Sequence, residues 1–418
     1  EIVLRQAVAE KLSRQNGVSY DPGSEILVTT GATLGIHSAL LALLNDEDEV
    51  LIPDPIYDAY HSPILLAGGR VVPVRTKIDQ GRFVLTAQAV DEAVTPRSRV
   101  LLLNTPWNPV GTVFRESELR AIADVVTRRN LVVISDEIYE AITYEGCRHI
   151  SPSVLSAEMR ERTVLLNSLS KTYSMTGWRV GYCAAPAPII QSMFLSLQQS
   201  SRGPATFVQD AAAVALTGPQ DAVDEMQVEY ARRRSLVLNA LAGIHHIQVL
   251  PPEGGFFAMV DARETGIPSD EIRQRLLLDA GVAVIHGAAY GRGGEGTLRV
   301  SFASGGDTLA RGLERLRAGL EAQWAPREST SLNSVANWQP SCAVMSDSTA
   351  SRGRSTRPTP ACIRSNQSVS RCQDRVTISG GSSKSVRVPT VPSPCAVAAR
   401  RRRVKRSAKA SSSTRPSI

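Results

Sequence analysis

The sequence predicts an α/β fold: a large domain with a mostly parallel, doubly wound sheet, followed by a smaller α+β domain. Three observations carry this. Short β-branched runs alternate with segments of helical periodicity from residue 1 to about residue 323. Several runs, among them Leu101-Leu102-Leu103 and Leu131-Val132-Val133-Ile134, are apolar at every position, as in strands buried on both faces. The chain of 418 residues, 42% hydrophobic and 21% charged, has an ordinary core-forming composition and room for two or three domains.

Taken in order, residues 2–15 read as an amphipathic helix. A strand at 26–29 is followed by a Gly-Ala-Thr turn and an apolar helix through residue 44. Further strands are expected at 49–52, 70–74, 99–103, 131–135 and 163–167, with helical spacing at 57–66 and 116–129 between them. After Arg202 the helices lengthen, and 221–241 runs on without a breaker. Strand-like 256–260, 283–285 and 298–302 then alternate with helices at 269–279 and 308–322. The expected organisation is a remnant of a small-domain segment at 1–20, a large domain at 21–203 and a small α+β domain at 204–325. A disordered, Ser-, Arg- and Pro-rich tail at 326–418 completes it.

The formal net charge of +7 is unevenly placed. Residues 326–418 hold 17 Lys+Arg against 3 Asp+Glu, and the residues before them hold 30 against 37. The tail has Trp338 as its only aromatic and shows no period, so it offers no apolar face to offset ordering entropy. Its Arg400–Arg406 run has the composition of a nucleic-acid patch or targeting signal. An unstructured extension is the preferred reading, and no nucleic-acid partner is expected. Cys147 and Cys183 lie in the body and no C-x-x-C pair occurs, which fits a reducing cytoplasm. No run approaches the roughly 20 apolar residues of a membrane helix, and the first residues lack the layout of a signal peptide.

The chemistry concentrates at strand ends. The string Ser168-Leu169-Ser170-Lys171 through Gly177-Trp178-Arg179-Val180-Gly181 follows an apolar strand and flanks a lysine with small hydroxyl residues. A lysine there is ordinarily a surface residue. A Schiff-base lysine must lose its proton, and burial beside cations lowers its pKa; nearby hydroxyls and an arginine supply donors for a phosphate dianion. Thr30-Gly31-Ala32-Thr33 lies where a strand gives way to a helix, so backbone N–H groups can cradle phosphate. Asp136 falls just after a buried strand, at the carboxyl edge where open α/β sheets bind ligands; alone it would read as a helix cap. Pro53–Tyr60, Asn104–Gly111 and Gly296–Ala303 are the other candidate segments. In the last, Arg299 offers a planar fork suited to a carboxylate.

In this order the motifs resemble those of the class I/II aminotransferases, pyridoxal-phosphate enzymes of fold type I with a seven-stranded large-domain sheet, over roughly residues 1–322. The resemblance implies pyridoxal 5'-phosphate as cofactor and Lys171 as the lysine that holds it. Ser168, Arg179 and the Gly31-Ala32-Thr33 backbone would anchor the phosphate, and Tyr57 would stack on the ring. Asp136 would pair with the ring nitrogen. Asn108 and Tyr139 would act on the phenolic oxygen, Asn108 also bordering the substrate, and Arg299 would grip the substrate α-carboxylate. Val110 replaces the small hydroxyl residue commoner in the family's N-P-T-G turn.

The implied activity is ping-pong transfer of an amino group from an L-amino acid to a 2-oxo acid, by a cytoplasmic homodimer. A carbon–sulfur lyase or aminocyclopropane-carboxylate-synthase-like enzyme is the alternative of the same fold. The sensor domain of a transcription regulator is the alternative of another class. Family members also carry a segment ahead of the first helix, with a loop over the substrate and a tyrosine reaching the partner's phosphate. The chain is accordingly expected to be truncated at its N-terminus and impaired in turnover.

Overall fold

The computed structural model describes residues 1–322, so the tail expected at 326–418 and its basic run lie outside the described residues. A seven-stranded sheet runs in the order β1 (Ile26–Thr29), β9 (Gly181–Ala184), β8 (Thr163–Ser168), β7 (Val132–Asp136), β6 (Ser98–Asn104), β2 (Glu49–Asp54) and β3 (Arg70–Arg75). All pairings from β8 to β3 are parallel; β9 pairs antiparallel with both β8 and β1.

Alternation along each strand sends apolar side chains to opposite faces. Leu51, Leu101, Leu103 and Val133 join one core, against the helices Ala87–Ala93 and Glu116–Arg128. Val50, Ile52, Val100, Leu102 and Ile134 join the other, against Ala32–Leu43 and Ala187–Ser200. Both faces are covered, which is why these strands are continuously apolar. Beyond β8, the helices Ile2–Lys11 and Thr206–Thr217 close a third cluster through Leu4, Val8, Leu165 and Ala212.

The second sheet is antiparallel, in the order β10 (Gln248–Leu250), β11 (Phe257–Asp261), β13 (Thr297–Ser301) and β12 (Ile285–His286). Helices Asp221–Leu241, Ser269–Asp279 and Gly306–Ala322 contribute Val237, Leu276 and Leu313 to the core on it.

Most expected elements are present, with corrections. The helix expected at 57–66 is split into a 3₁₀ turn, Asp58–Tyr60, and the helix Ile64 belongs to, His61–Leu66. The strand expected at 283–285 forms only at Ile285–His286. Strand β9 and the hairpin β4 (Lys77–Asp79) with β5 (Arg82–Val84) were not expected. The hairpin strands are three residues each, too short for a period to register.

Candidate active site

The parallel strands end at one edge of the sheet. There Asn104 closes β6, Asp136 closes β7 and Ser168 closes β8. Gly31, which follows β1 after one residue, opens the helix Ala32–Leu43 with φ +80° and ψ 164°, a conformation suited to glycine. A cavity of about 350 Å³ lies at this edge. Ala32, Thr33, Tyr57, Asn108, Asp136, Tyr139, Ser168, Lys171, Arg179 and Arg299 all line it, so nearly every sequence-derived candidate converges on one space. Gly31 stands just outside: a Cβ on it would lie 2.5 Å from Arg179 Nη2. Its lack of a side chain is what lets the guanidinium lie across the helix N-terminus.

At one end the cavity is a cradle for an anion. Ala32 and Thr33 begin a 12-residue helix that no side chain caps, so its first N–H groups and its dipole face the space. Arg179 is oriented by donating from Nη1 to the Thr176 carbonyl at 3.0 Å. Ser168 and Ser170 add hydroxyls.

In the middle, Asp136 is 2% exposed. Burial raises its carboxyl to about 6, opposed by the Tyr60 hydroxyl, which donates to Oδ2 at 2.6 Å. Its backbone is pinned as well: Asn104 Nδ2 and Thr105 N–H both donate to the Asp136 carbonyl at 2.9 Å. Lys171 stands 5.3 Å from the Phe256 ring centroid and 6.0 Å from that of Tyr139. Burial, then the charge of Arg179, lowers its ammonium below the ordinary lysine range, while Asp136 pulls the other way. Tyr139 is buried edge-on against Phe256 and Phe257, and burial raises its phenol. Tyr57 is half-exposed, edge-on to Tyr60 at 5.5 Å.

At the far end, Arg299 Nη1 donates to Asn108 Oδ1 at 3.0 Å, and its guanidinium lies 4.9 Å above the Tyr290 ring centroid. Arg299 Nε is buried without a hydrogen-bond partner. Arg299 lines the cavity, where its planar fork suits a carboxylate. Asn108 is itself fixed, its N–H donating to Asn104 Oδ1 at 2.7 Å.

Four lining residues were missed as functional groups. Tyr60, which closes the candidate segment Pro53–Tyr60, donates its hydroxyl to Asp136. Asn104 holds both Asp136 and Asn108, a role no sequence spacing announces. Phe256 and Phe257, expected only as part of a strand at 256–260, supply the aromatic wall.

The donor set fits pyridoxal 5'-phosphate. It offers an uncapped helix N-terminus and an arginine for the phosphate, a buried carboxylate for a ring nitrogen, and a lysine with lowered pKa for an aldehyde. Fold and site together define a pyridoxal-phosphate enzyme of the α/β type. Comparison with known proteins narrows the class. The model of the family "Aminotransferase class I and II" matches residues 2–316, and the chain belongs to that family.

An aspartate aminotransferase of Pyrococcus abyssi is 40% identical over 315 residues, which span 75% of this chain and 80% of that protein. Aromatic-amino-acid aminotransferase 2 of Thermococcus litoralis is 38% identical over 320 residues, 76% of this chain and 82% of that one. Among solved structures, an aromatic aminotransferase from Pyrococcus horikoshii OT3 aligns with a TM-score of 0.75 at 40% identity, covering 77% of this chain and 86% of that one. Aspartate aminotransferase from Thermus thermophilus with maleate aligns at 0.71 and 35% identity, covering 76% and 81%. The chain is thus a pyridoxal-phosphate-dependent aminotransferase, acting on amino acids and 2-oxo acids. Among the described residues, no helix is long and apolar enough to cross a membrane.

Proposed function

We propose that Lys171, Asp136, Arg179 and Arg299 are the working groups of this transaminase, on the strength of their convergence on one cavity at the carboxyl edge of the sheet. Pyridoxal phosphate, when bound, supplies an electron sink for the electrons left on the substrate α-carbon. The chain's own residues do the rest. Arg179, the hydroxyl of Ser168 and the backbone of Ala32 and Thr33 hold the phosphate. Asp136, kept ionised in part by Tyr60, offers its carboxylate to the ring nitrogen. Tyr57 packs on the ring, and Asn108 and Tyr139 border its phenolic oxygen. Arg299 orients the substrate by its α-carboxylate. Lys171 would hold the cofactor at rest, and its Nζ, once free and neutral, would take the proton from the substrate α-carbon. Phe256, Phe257 and Tyr139 exclude water around that proton transfer.

The finer assignments rest on separate features. A division into a large and a small domain is supported by the two sheets, with the boundary moved from 203 to beyond the helix Thr206–Thr217, which packs with Leu165 of the large sheet. A homodimer is supported by exposed Phe207 and Val214, seven residues apart on the helix Thr206–Thr217, and by exposed Leu195 on the preceding helix Ala187–Ser200. A cytoplasmic site is supported by the free thiols of Cys147 and Cys183.

A panel of L-amino donors against 2-oxoglutarate and pyruvate tests the activity and finds the preferred pair. Transfer should require both donor and acceptor. Ammonia and 2-oxo acid released without any acceptor would point instead to a lyase. Borohydride reduction and peptide mapping should place a pyridoxyl group on Lys171, and a label on another lysine would overturn that assignment.

A further inference from the structure

The turn after β7 has two sides. Asp136 and Tyr139 line the cavity, whereas Glu137 and Glu140 lie behind it in a layer of buried charge. Glu137 Oε1 accepts from Ser135 Oγ at 2.8 Å and from Ser151 Oγ at 2.6 Å, and its Oε2 lies 3.0 Å from His149 Nε2. Glu140 Oε1 receives Lys11 Nζ and, at 2.6 Å, Asn167 Nδ2; its Oε2 receives Asn16 Nδ2 at 3.0 Å. The Lys11 and Glu140 side chains are only 3% and 10% exposed. Burial works against ionising Glu140, but Lys11, His149 and Asn16 outweigh it and hold the carboxyl below its ordinary range.

The ligand atoms of Glu137, Glu140 and His149 lie within 4.8 Å of one another, a spacing that could suit a metal ion. The Lys11 ammonium already stands on Glu140 and supplies the positive charge there. This layer therefore reads as an internal ion pair with hydrogen-bonded neighbours.

Such a pair adds little net stability, because desolvating both charges offsets most of their attraction; its better-attested use is to fix one arrangement. Here the arrangement reaches both halves of the active site. Asn167, which donates to Glu140, accepts the Ser168 N–H on its Oδ1 at 2.7 Å. Ser168 Oγ in turn accepts the Ser170 N–H at 3.0 Å, capping the turn Leu169–Thr172 that carries Lys171. On the other side, the Glu140 N–H donates to the Glu137 carbonyl at 3.0 Å and closes the turn that carries Asp136 and Tyr139.

We infer that Glu140, anchored by Lys11, is a positioning residue that sets Lys171 and the Asp136–Tyr139 turn in register across the cofactor site. The inference rests on the reading that Lys171 and Asp136 face the cofactor. Neither Lys11 nor Glu140 lines the cavity, so both act only through other residues.

Glu140→Gln, Glu140→Asp and Asn167→Ala test it. Hydrogen exchange on the cofactor-free protein should quicken at least about tenfold in both 136–140 and 167–172 for Glu140→Gln, with β11 unchanged. Asn167→Ala keeps the Lys11 pair and should loosen 167–172 alone. In the same variants pyridoxal phosphate should bind at least about tenfold more weakly, and the pH midpoint of the bound cofactor's visible absorbance should shift. Glu140→Asp should restore part of each effect. Uniform quickening over the whole chain, or a lower Tm with unchanged cofactor affinity and absorbance midpoint, overturns the inference. Should Glu140→Gln fail to fold, Asn167→Ala decides: unaltered exchange at 167–172 is enough to reject it. A wild-type chain that binds no pyridoxal phosphate would instead reject the functional reading, since the exchange is measured without cofactor.

Discussion

The Tyr60 hydroxyl donates to Asp136 Oδ2 at 2.6 Å, and both groups are buried. The two residues are 76 positions apart in sequence, and the bond joins the aromatic segment after β2 to the acid that closes β7. Its chemical consequence is on the carboxylate. Burial raises the Asp136 carboxyl to about 6, and the phenol is the foremost group pulling it back.

Tyr60→Phe removes that donor without changing shape. The carboxyl should titrate above its present value, leaving less carboxylate near neutrality to meet a ring nitrogen. A hydrogen bond to a charged group contributes about 1.5–3 kcal/mol, so cofactor affinity should fall roughly 10- to 150-fold. The acid limb of the activity profile should move to higher pH. Titration of the cofactor-free protein across pH 5–8 checks both, and an unmoved limb would show that Tyr60 merely packs.

Asp136→Asn should stabilise the cofactor-free protein while disabling it. The folded-state pKa of Asp136 is raised, so its contribution to stability is fully present below the unfolded value near 4 and is lost as pH rises through about 6. A rise of this size corresponds to about 3 kcal/mol lost by pH 8, as an upper figure. An amide can still accept from Tyr60 but carries no charge to desolvate. Urea melts at pH 4 and pH 8 should show the variant's advantage only at the higher pH, while single-turnover α-proton abstraction slows sharply. Equal stability at pH 8 would mean the carboxylate is not strained by burial.

The contrast between these residues shows what was legible in the sequence. Asp136, Lys171 and Arg299 stand in local strings whose residue types carry their chemistry; the first two strings lie at the ends of β7 and β8, and the third spans β13. The fold class followed from strands buried on both faces, such as β6 and β7, because burial on both faces removes the polar alternation. Tyr60 and Asn104 were not legible as functional groups. Their partners are 76 and 32 residues away, and such pairings depend on how strands stack. Strand β9 escaped notice because Gly181-Tyr182-Cys183-Ala184 begins inside the lysine motif and holds no β-branched residue. Lys11 looked like the polar face of an amphipathic helix; burial against Glu140 needed the third dimension.

Arg299→Lys should separate charge from geometry. The guanidinium divides its work: Nη1 donates to Asn108 Oδ1 at 3.0 Å, and buried Nε has no partner. Lysine keeps the charge but replaces the fork with a point donor. Losing one charge-assisted bond to a carboxylate, at about 1.5–3 kcal/mol, should lower kcat/KM for amino donors roughly 10- to 150-fold, mostly through KM. Cofactor affinity should change little. Steady-state kinetics with several donors, beside a cofactor titration, reads the split. A fall in kcat alone would place Arg299 away from the α-carboxylate.

Gly31→Ala should damage phosphate recognition more than folding. The residue adopts φ +80° and ψ 164°, which an L side chain tolerates at about 1–3 kcal/mol. Its Cβ would lie 2.5 Å from Arg179 Nη2 and 3.2 Å from Cζ, the far end of a flexible side chain. The guanidinium can therefore swing away and let the chain fold, but it must leave the N-terminus of the helix Ala32–Leu43 to do so. The loss then falls on the phosphate end of the cavity and spares the ring end, where Asp136 and Tyr60 are untouched. Comparing pyridoxal phosphate with pyridoxal makes the two ends separable. The variant's preference for the phosphorylated form should drop at least about tenfold, a loss on the scale of one charge-assisted hydrogen bond, while pyridoxal binding changes far less. Equal losses for both ligands would show that Arg179 serves the fold and not the phosphate.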